Sequence, residues 1–372
     1  MIYLDNNATT PLVKEVLEAM LYDFDGIPRN PSSVTTYGRE ARSRIIQARG
    51  EIAAFFGVLP EEVIFTSGGT ESNHFLIQGF YEKKRGPIIT TAIEHASALA
   101  PIRRLTKDII YLPVGKEGAP SPSDLRAALT RDTSFIFLSG VNSETGVKIP
   151  LDEMASIAEL ARVPLLIDGV ALLGKADFTP LPKGISGISF SSHKCHGPKG
   201  IGIAIIRKPN RISPLFIGGH QERDLRAGTE NLAGILGFAK ALSFLTKENR
   251  EKVEAVRNFF ETALLEKIPG AQINGEGPRS SNTSNIYFPD VDAEILLINL
   301  DKRGIIASLG SACASNSLEP SHVLLGMGFS KEHALSSLRF SFSRLNTKKE
   351  VEETISHLLE LTSSKQRLFT AL

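Results

Sequence analysis

Short apolar runs alternate with amphipathic stretches over the first two thirds of the chain, and this alternation constrains the fold more than any other feature. "EVIFTSGG" (62–69) reads as a strand ending in a glycine turn, and "TESNHFLIQGFYEKK" (70–84) as the helix that follows. "PIITTAIEH" then precedes "ASALAPIRRLTK", and "SFIFLSGVN" precedes "LDEMASIAELAR". "VPLLID", "ISGISFSS" and "GIGIAII" complete the series of apolar runs. Buried runs joined by helices predict an α/β fold with a mostly parallel sheet covered on both faces. The pattern turns helical from about Asn231 to Ile268 and breaks at "NGEGPR". It resumes as "TSNIYF", the helical "DAEILLINLDKRG" and the strand-like "LSSLRFSFSR", which predicts a smaller α+β domain. A chain of 372 residues has room for two such units.

The bulk chemistry narrows the function classes. With 42 basic and 41 acidic side chains, the formal charge of +1 gives no electrostatic reason to expect nucleic acid or membrane partners. The segment "MIYLDNNATTP" lacks the basic and apolar regions of a secretory signal. Only two cysteines, Cys195 and Cys313, are present, which argues against a disulfide framework and for a reducing, cytoplasmic setting.

Parallel sheets bind ligands beyond the carboxyl ends of their strands, so the polar residues just after the apolar runs carry the information. Gly68, Gly69 and Thr70 lie between a strand and a helix start, either as an anion site or as a glycine turn with Thr70 as helix cap. Asp168 ends "PLLID" ahead of Gly169. It is either the first residue of a hairpin turn or a carboxylate facing a ligand cation. His95 and Asn142 also follow apolar runs, and each has a structural as well as a ligand-binding reading. "SSHKCHGPKGIG" (191–202) fails as a dinucleotide fingerprint, because its glycines precede an apolar run instead of opening a helix. It leaves either Cys195 as a thiol between Lys194 and His196, or Lys194 as a Schiff-base former flanked by Ser191 and His193. Cys313 sits among small residues in "ASLGSACASNSLEPSH", where thiol chemistry competes with a plain buried turn. Arg339 alternates with Leu338, Phe340 and Phe342, a fork suited to a carboxylate.

The order of these elements resolves the alternatives. "YLDNNATTP", "NPSSVTTYGREAR", "FTSGGTESN", "SSHKCHGPKGIG", "LRAGTEN" and "GSACASNSLEPSHVL" resemble, in register and nearly end to end, the motifs of the NifS/IscS-like cysteine desulfurases with a long catalytic loop. The resemblance implies a fold-type-I pyridoxal-phosphate enzyme with a seven-stranded, mostly parallel sheet. It further implies a large cofactor-binding domain over 15–249 and a small domain built from 1–14 and 250–372. Lys194 would carry pyridoxal 5'-phosphate, Asp168 would pair with its ring nitrogen and His95 would stack on the ring. Gly69, Thr70, Ser191 and His193 would hold the phosphate, and Asn142 would touch both cofactor and substrate. Thr229 would complete the phosphate site of a partner subunit, which implies a homodimer, and Arg339 would take the substrate carboxylate. Cys313 would receive sulfur from L-cysteine as a persulfide, releasing L-alanine and passing sulfur to an acceptor such as an iron–sulfur scaffold. No metal is implied, and Cys195 becomes a bystander. A selenocysteine lyase, or a weakly active paralogue serving as a binding partner, would use nearly the same residues.

Three positions depart from the family pattern. Ala171 stands where a glutamine usually donates a hydrogen bond to the cofactor's phenolic oxygen, a loss of about 1.5–3 kcal/mol. Thr35 replaces a histidine in "NPSSVT", and Ser343 replaces a glycine in "RFSFSR".

Overall fold

The computed structural model describes residues 1–208, 212–310 and 319–363. The chain opens with a two-residue strand, β1 (Ile2–Tyr3), and then builds a seven-stranded sheet. Its members are β2 (Val63–Thr66), β3 (Ile88–Thr91), β4 (Ile109–Leu112), β5 (Phe135–Ser139), β6 (Leu165–Asp168), β7 (Ile185–Ser191) and β8 (Gly202–Ile206), in the order β2-β8-β7-β6-β5-β3-β4. Strand β8 runs antiparallel to both its neighbours, and the other pairings are parallel. The exception has a local cause. The segment 192–201 joins adjacent strands without a crossover helix, so the chain must return in the opposite direction.

Strands β2, β3 and β6 are buried at every position, which is why they read as unbroken apolar runs. Strand β4 was not foreseen from the sequence. It lies at the sheet edge, and three of its four residues are partly or fully exposed. Long helices cover the faces. Helix α1 (Lys14–Met20) packs with the later α7, and α2 (Thr36–Phe56) buries Ala41, Ile45, Ala48, Ile52 and Phe56 at helical spacing. Thr35, the position that departs from the family histidine, caps α2 by accepting from Gly38 N at 3.2 Å. At the far end Phe56 stacks on Phe190 with ring centroids 4.5 Å apart. Phe190 lies in β7 just ahead of Ser191, so this stack supports the strand that delivers Lys194.

A second hydrophobic core forms around Ile2, Leu4, Phe260, Leu300, Phe340 and Leu358. Helices α3 (Gly69–Lys83), α4 (Ala96–Leu105), α5 (Pro122–Ala128), α6 (Leu151–Ala161) and α7 (Leu232–Leu242) belong with the large sheet, and α8 (Lys247–Lys267) leads to the second core. There β9 (Gln272–Ile273), β10 (Thr283–Tyr287) and β12 (Ser337–Ser341) make an antiparallel sheet, while β1 pairs in parallel with β11 (Ile305–Ile306). After β1 the chain crosses to the large sheet: Thr10 N donates to His193 O at 2.9 Å. The N-terminal segment is thereby clamped between the two cores.

Phe56→Ala removes a fully buried ring from the α2–β7 contact and is expected to cost about 3–5 kcal/mol. In urea the unfolding midpoint should fall sharply with an unchanged slope. A midpoint like that of the unmodified protein would mean that the stack does not support β7.

Candidate active site

The carboxyl ends of β2, β3, β5, β6 and β7 converge on one cavity of ≈ 410 Å3, closed on the other side by Asn7 and by Arg339 of β12. Ten of the eleven sequence-predicted site residues fall within the described chain. Nine of them line this cavity: Gly69 and Thr70 after β2, His95 after β3, Asn142 after β5, Asp168 on β6, then Ser191, His193 and Lys194, and finally Arg339. Thr229 does not line it and is exposed. Cys313 lies outside the described residues.

Asp168 closes β6, and Gly169 after it makes a close approach instead of a hairpin: a Cβ there would sit 2.4 Å from the Phe190 ring. The Asp168 carboxylate accepts from Asn73 Nδ2 at 2.7 Å and from Val170 N at 2.9 Å. Asn73 is itself fixed, because its Oδ1 accepts from Ser189 Oγ at 2.5 Å. Sequence reading missed Asn73, since an asparagine within a helix carries no local mark of a partner on a strand 95 residues away.

His95 caps α4, accepting at Nδ1 from Ser97 N at 3.1 Å. That bond leaves the proton of the neutral ring on Nε2. Burial, and behind it the Lys194 charge, lower the His95 pKa against the opposing pull of Asp168, so the ring is neutral near pH 7. Beside it Glu94 is fully buried and pushed up to about 7, first by burial and then by Asp168. Its carboxyl accepts from Thr91 Oγ1 at 2.7 Å, from Ser139 N at 2.8 Å and from Ser139 Oγ.

Lys194 ends a single 3-10 turn, Ser192–Lys194, and its Nζ donates to Ala8 O at 2.9 Å and to Asn7 O. Its neighbour Cys195 is a different case. The thiol is buried, donates to Ser192 O at 3.2 Å, and is pushed up to about 12 by burial. A thiol in that state is a poor nucleophile. Burial followed by the Lys194 charge lowers His193 to about 4, and Thr9 Oγ1 lies 3.1 Å from its Nδ1.

Helix α3 begins at Gly69 with Gly68 as N-cap and no side-chain cap, so Thr70 is its second residue and not a cap. A Cβ on Gly69 would lie 2.6 Å from Val170 Cγ2, so a glycine there lets the helix start pack against Val170. Uncapped N–H groups, Thr70 and Ser191 together make an anion cradle. Glu71 in the same turn is neutralised by Arg226, at 2.8 Å. Arg339 is 2% exposed, pairs with Asp5 at 2.7 Å and donates to Ser143 O at 3.2 Å, while its Nε has no partner among the described residues. Asn142 spends its Oδ1 on the backbone N–H groups of Glu144 and Thr145 and its amide on Ile93 O, so it chiefly shapes the turn after β5. Ala171 is buried on the cavity wall and offers no donor there. Ser343 is engaged with Asn346, 2.8 Å from its N–H, in a local turn.

A flat ring with a cationic nitrogen, an aldehyde and a phosphate would meet its complement here in the Asp168 carboxylate, the Lys194 amine and the α3 cradle, with the neutral His95 ring in the same cavity. Pyridoxal phosphate therefore fits the residues present. Asn73→Ala removes one charge-assisted bond to Asp168 and is expected to weaken cofactor binding by about 1.5–3 kcal/mol, one to two powers of ten. Asn73→Asp should lose more, by setting a second carboxylate against the first. Equilibrium dialysis of the cofactor measures both, and retention equal to the unmodified protein would contradict the role given to Asn73.

Comparison with known proteins agrees with this geometry. The aminotransferase class-V family model matches residues 2–354. Cysteine desulfurase 2 of Trichormus variabilis is 40% identical over 363 residues, which cover 95% of this chain and 91% of that protein. A solved structure described as a NifS-like protein superposes with a TM-score of 0.89 at 33% identity, covering 98% of this chain and 99% of that one. A second, described as SspA in complex with cysteine, gives 0.81 at 30% identity over 93% of this chain and 100% of that one. The chain belongs to the class-V aminotransferase family and, within it, to the cysteine desulfurases.

Proposed function

We propose that the cavity binds pyridoxal 5'-phosphate on Lys194 and converts L-cysteine to L-alanine, with the sulfur leaving as a persulfide on Cys313. The observation that carries this reading is the convergence of Lys194, Asp168 and His95 from three strand ends on one cavity. The cysteine held by the solved SspA relative supports the choice of substrate.

When bound, the cofactor supplies an electron sink that acidifies the substrate's Cα–H and loosens its Cβ–S bond. The chain's own residues do the rest. Asp168, steadied by Asn73, would pair with the ring nitrogen and favour its protonated form. His95 would lie against the cofactor ring as a neutral imidazole with its proton on Nε2. Lys194 carries the cofactor and moves the substrate's α-proton from its place beside Asn7 and Ala8. The unpartnered Nε of Arg339 donates to the substrate carboxylate. The Cys313 thiolate then attacks the substrate sulfur: an S–S bond forms on the enzyme, the Cβ–S bond breaks with its electron pair left on the carbon side, and protons added at Cβ and Cα give alanine.

In the same reading the exposed Thr229 completes the phosphate site of a second copy, so the working form is a homodimer. The acceptor is a sulfur-carrying partner such as an iron–sulfur scaffold. The two hydrophobic cores support a division into a large domain, 15–249, and a small one built from 1–14 and 250–372. A cytoplasmic setting is consistent with the two-cysteine composition.

The purified protein should be yellow, and Lys194→Ala should lose the bound chromophore. Cys313→Ser should stay yellow yet release no sulfide from L-cysteine, while Cys195→Ser should remain active. A colourless unmodified protein that cannot be loaded with the cofactor would refute the reading. An inactive Cys195→Ser beside an active Cys313→Ser would move the nucleophile to Cys195.

A further inference from the structure

A buried lysine, Lys175, and a half-buried one, Lys194, hang on one asparagine. Lys175, 7% exposed, donates from Nζ to Asn7 Oδ1 at 2.9 Å, and Lys194 donates to Asn7 O. Asn7 Nδ2 in turn donates to Ser143 O at 2.9 Å, the same carbonyl that takes Arg339 Nη1 at 3.2 Å. Three cations thus gather around the Asn7–Ser143 pair, and all three line the cavity. Asp5 pairs with Arg339. The cavity's other acids have partners of their own: Asp168 has Asn73 and Val170 N, Glu94 has Thr91 and Ser139, and Glu144 has Ser321 at Oε2 with no partner at Oε1 among the described residues. Among the described residues Lys175 has no carboxylate within ion-pair distance, and Asn7 is its single hydrogen-bond acceptor. A buried ammonium with one acceptor and like charges for neighbours is incomplete without an anion.

We propose that Lys175 is a second cationic contact for the substrate's α-carboxylate, acting with the unpartnered Nε–H of Arg339. The inference rests on the reading of the cavity as an amino-acid site. The electrostatics agree with the geometry. Burial, then the Lys194 and Arg339 charges, push Lys175 down to about 7, against weaker opposing pulls from Cys195 and Asp5. His193 and His196 also feel the Lys175 charge, and both are held neutral by burial. An arriving carboxylate favours the ammonium form and raises that pKa. The sign follows: Lys175 is charged below about 7 whether or not substrate is present. Above that range the empty site loses its cation, so the carboxylate-dependent part of binding weakens as pH rises.

The test uses the yellow holoenzyme, titrated spectroscopically with L-alanine and with ethylamine, which lacks the carboxylate, and assayed with L-cysteine. In Lys175→Met the L-alanine dissociation constant and the KM for L-cysteine should rise about tenfold to a hundredfold, with kcat falling by less. Ethylamine binding should change little. Lys175→Arg should hold its L-alanine affinity at alkaline pH, where the unmodified enzyme weakens. Unchanged L-alanine binding in Lys175→Met, or an equal loss for ethylamine, would overturn the proposal. If Lys175→Met fails to fold or load cofactor, the unmodified holoenzyme decides: its preference for L-alanine over ethylamine should decline as pH rises above neutrality, and a flat preference overturns the assignment. A holoenzyme whose spectrum responds to neither L-alanine nor L-cysteine would instead refute the amino-acid reading of the cavity itself.

Discussion

Everything in this site depends on keeping several charges out of water without leaving them unpaired. Lys194, Lys175, Arg339, Asp168, Glu94 and Glu144 line one cavity of ≈ 410 Å3. Removing a charge from water costs several kcal/mol unless hydrogen bonds replace the lost hydration. The fold supplies them mainly from neutral groups. Asn73 and Val170 N serve Asp168, Ser139 and Thr91 serve Glu94, and the Asn7 and Ala8 carbonyls serve Lys194. Neutral partners leave each charge able to act on a ligand, whereas a full ion pair would spend it. Arg339 pairs with Asp5, and even there Nε remains open among the described residues.

The N-terminal segment is the other half of this economy. β1 pairs with β11 in the second core, and a few residues later Asn7 and Ala8 reach the lysine of the first. Asn7 also binds Thr283 of β10 at 2.8 Å, and Asn6 binds Ser341 O of β12 at 2.8 Å. A shift of one core against the other would therefore move Lys194's acceptors and Arg339 together. Glu144 continues the link: its side chain accepts from Ser321 Oγ at 2.5 Å, at the N-cap of the short helix His322–Gly326, and His322 Nε2 lies 3.0 Å from Glu94 O.

Much of this was legible in the sequence because the central strands are buried on both faces and so appear as uninterrupted apolar runs. In such a sheet the next polar residue falls at the binding edge, which makes His95 and Asp168 candidates. The edge strand β4 was not legible, because its exposed residues break the run. Thr70 as a helix cap was a local guess that Gly68 displaced. Asn142 was found as a polar residue after a strand, yet its side chain serves its own turn. Asn73, Lys175 and Asn7 were invisible for one reason: their partners lie 95 and 168 residues away. Only a folded chain brings such pairs together. The choice of Lys194 over Cys195 came from resemblance, and the burial of the thiol gives it a physical basis.

The central claim is that sulfur passes from L-cysteine to Cys313 in a cavity organised by Lys194 and Asp168. Mass spectrometry after a single turnover of the holoenzyme with L-cysteine tests it most directly. The account predicts one added sulfur on the peptide containing Cys313, none on the peptide containing Cys195, and one alanine released per sulfur bound. Sulfur found on Cys195, or alanine released with neither cysteine modified, would contradict it.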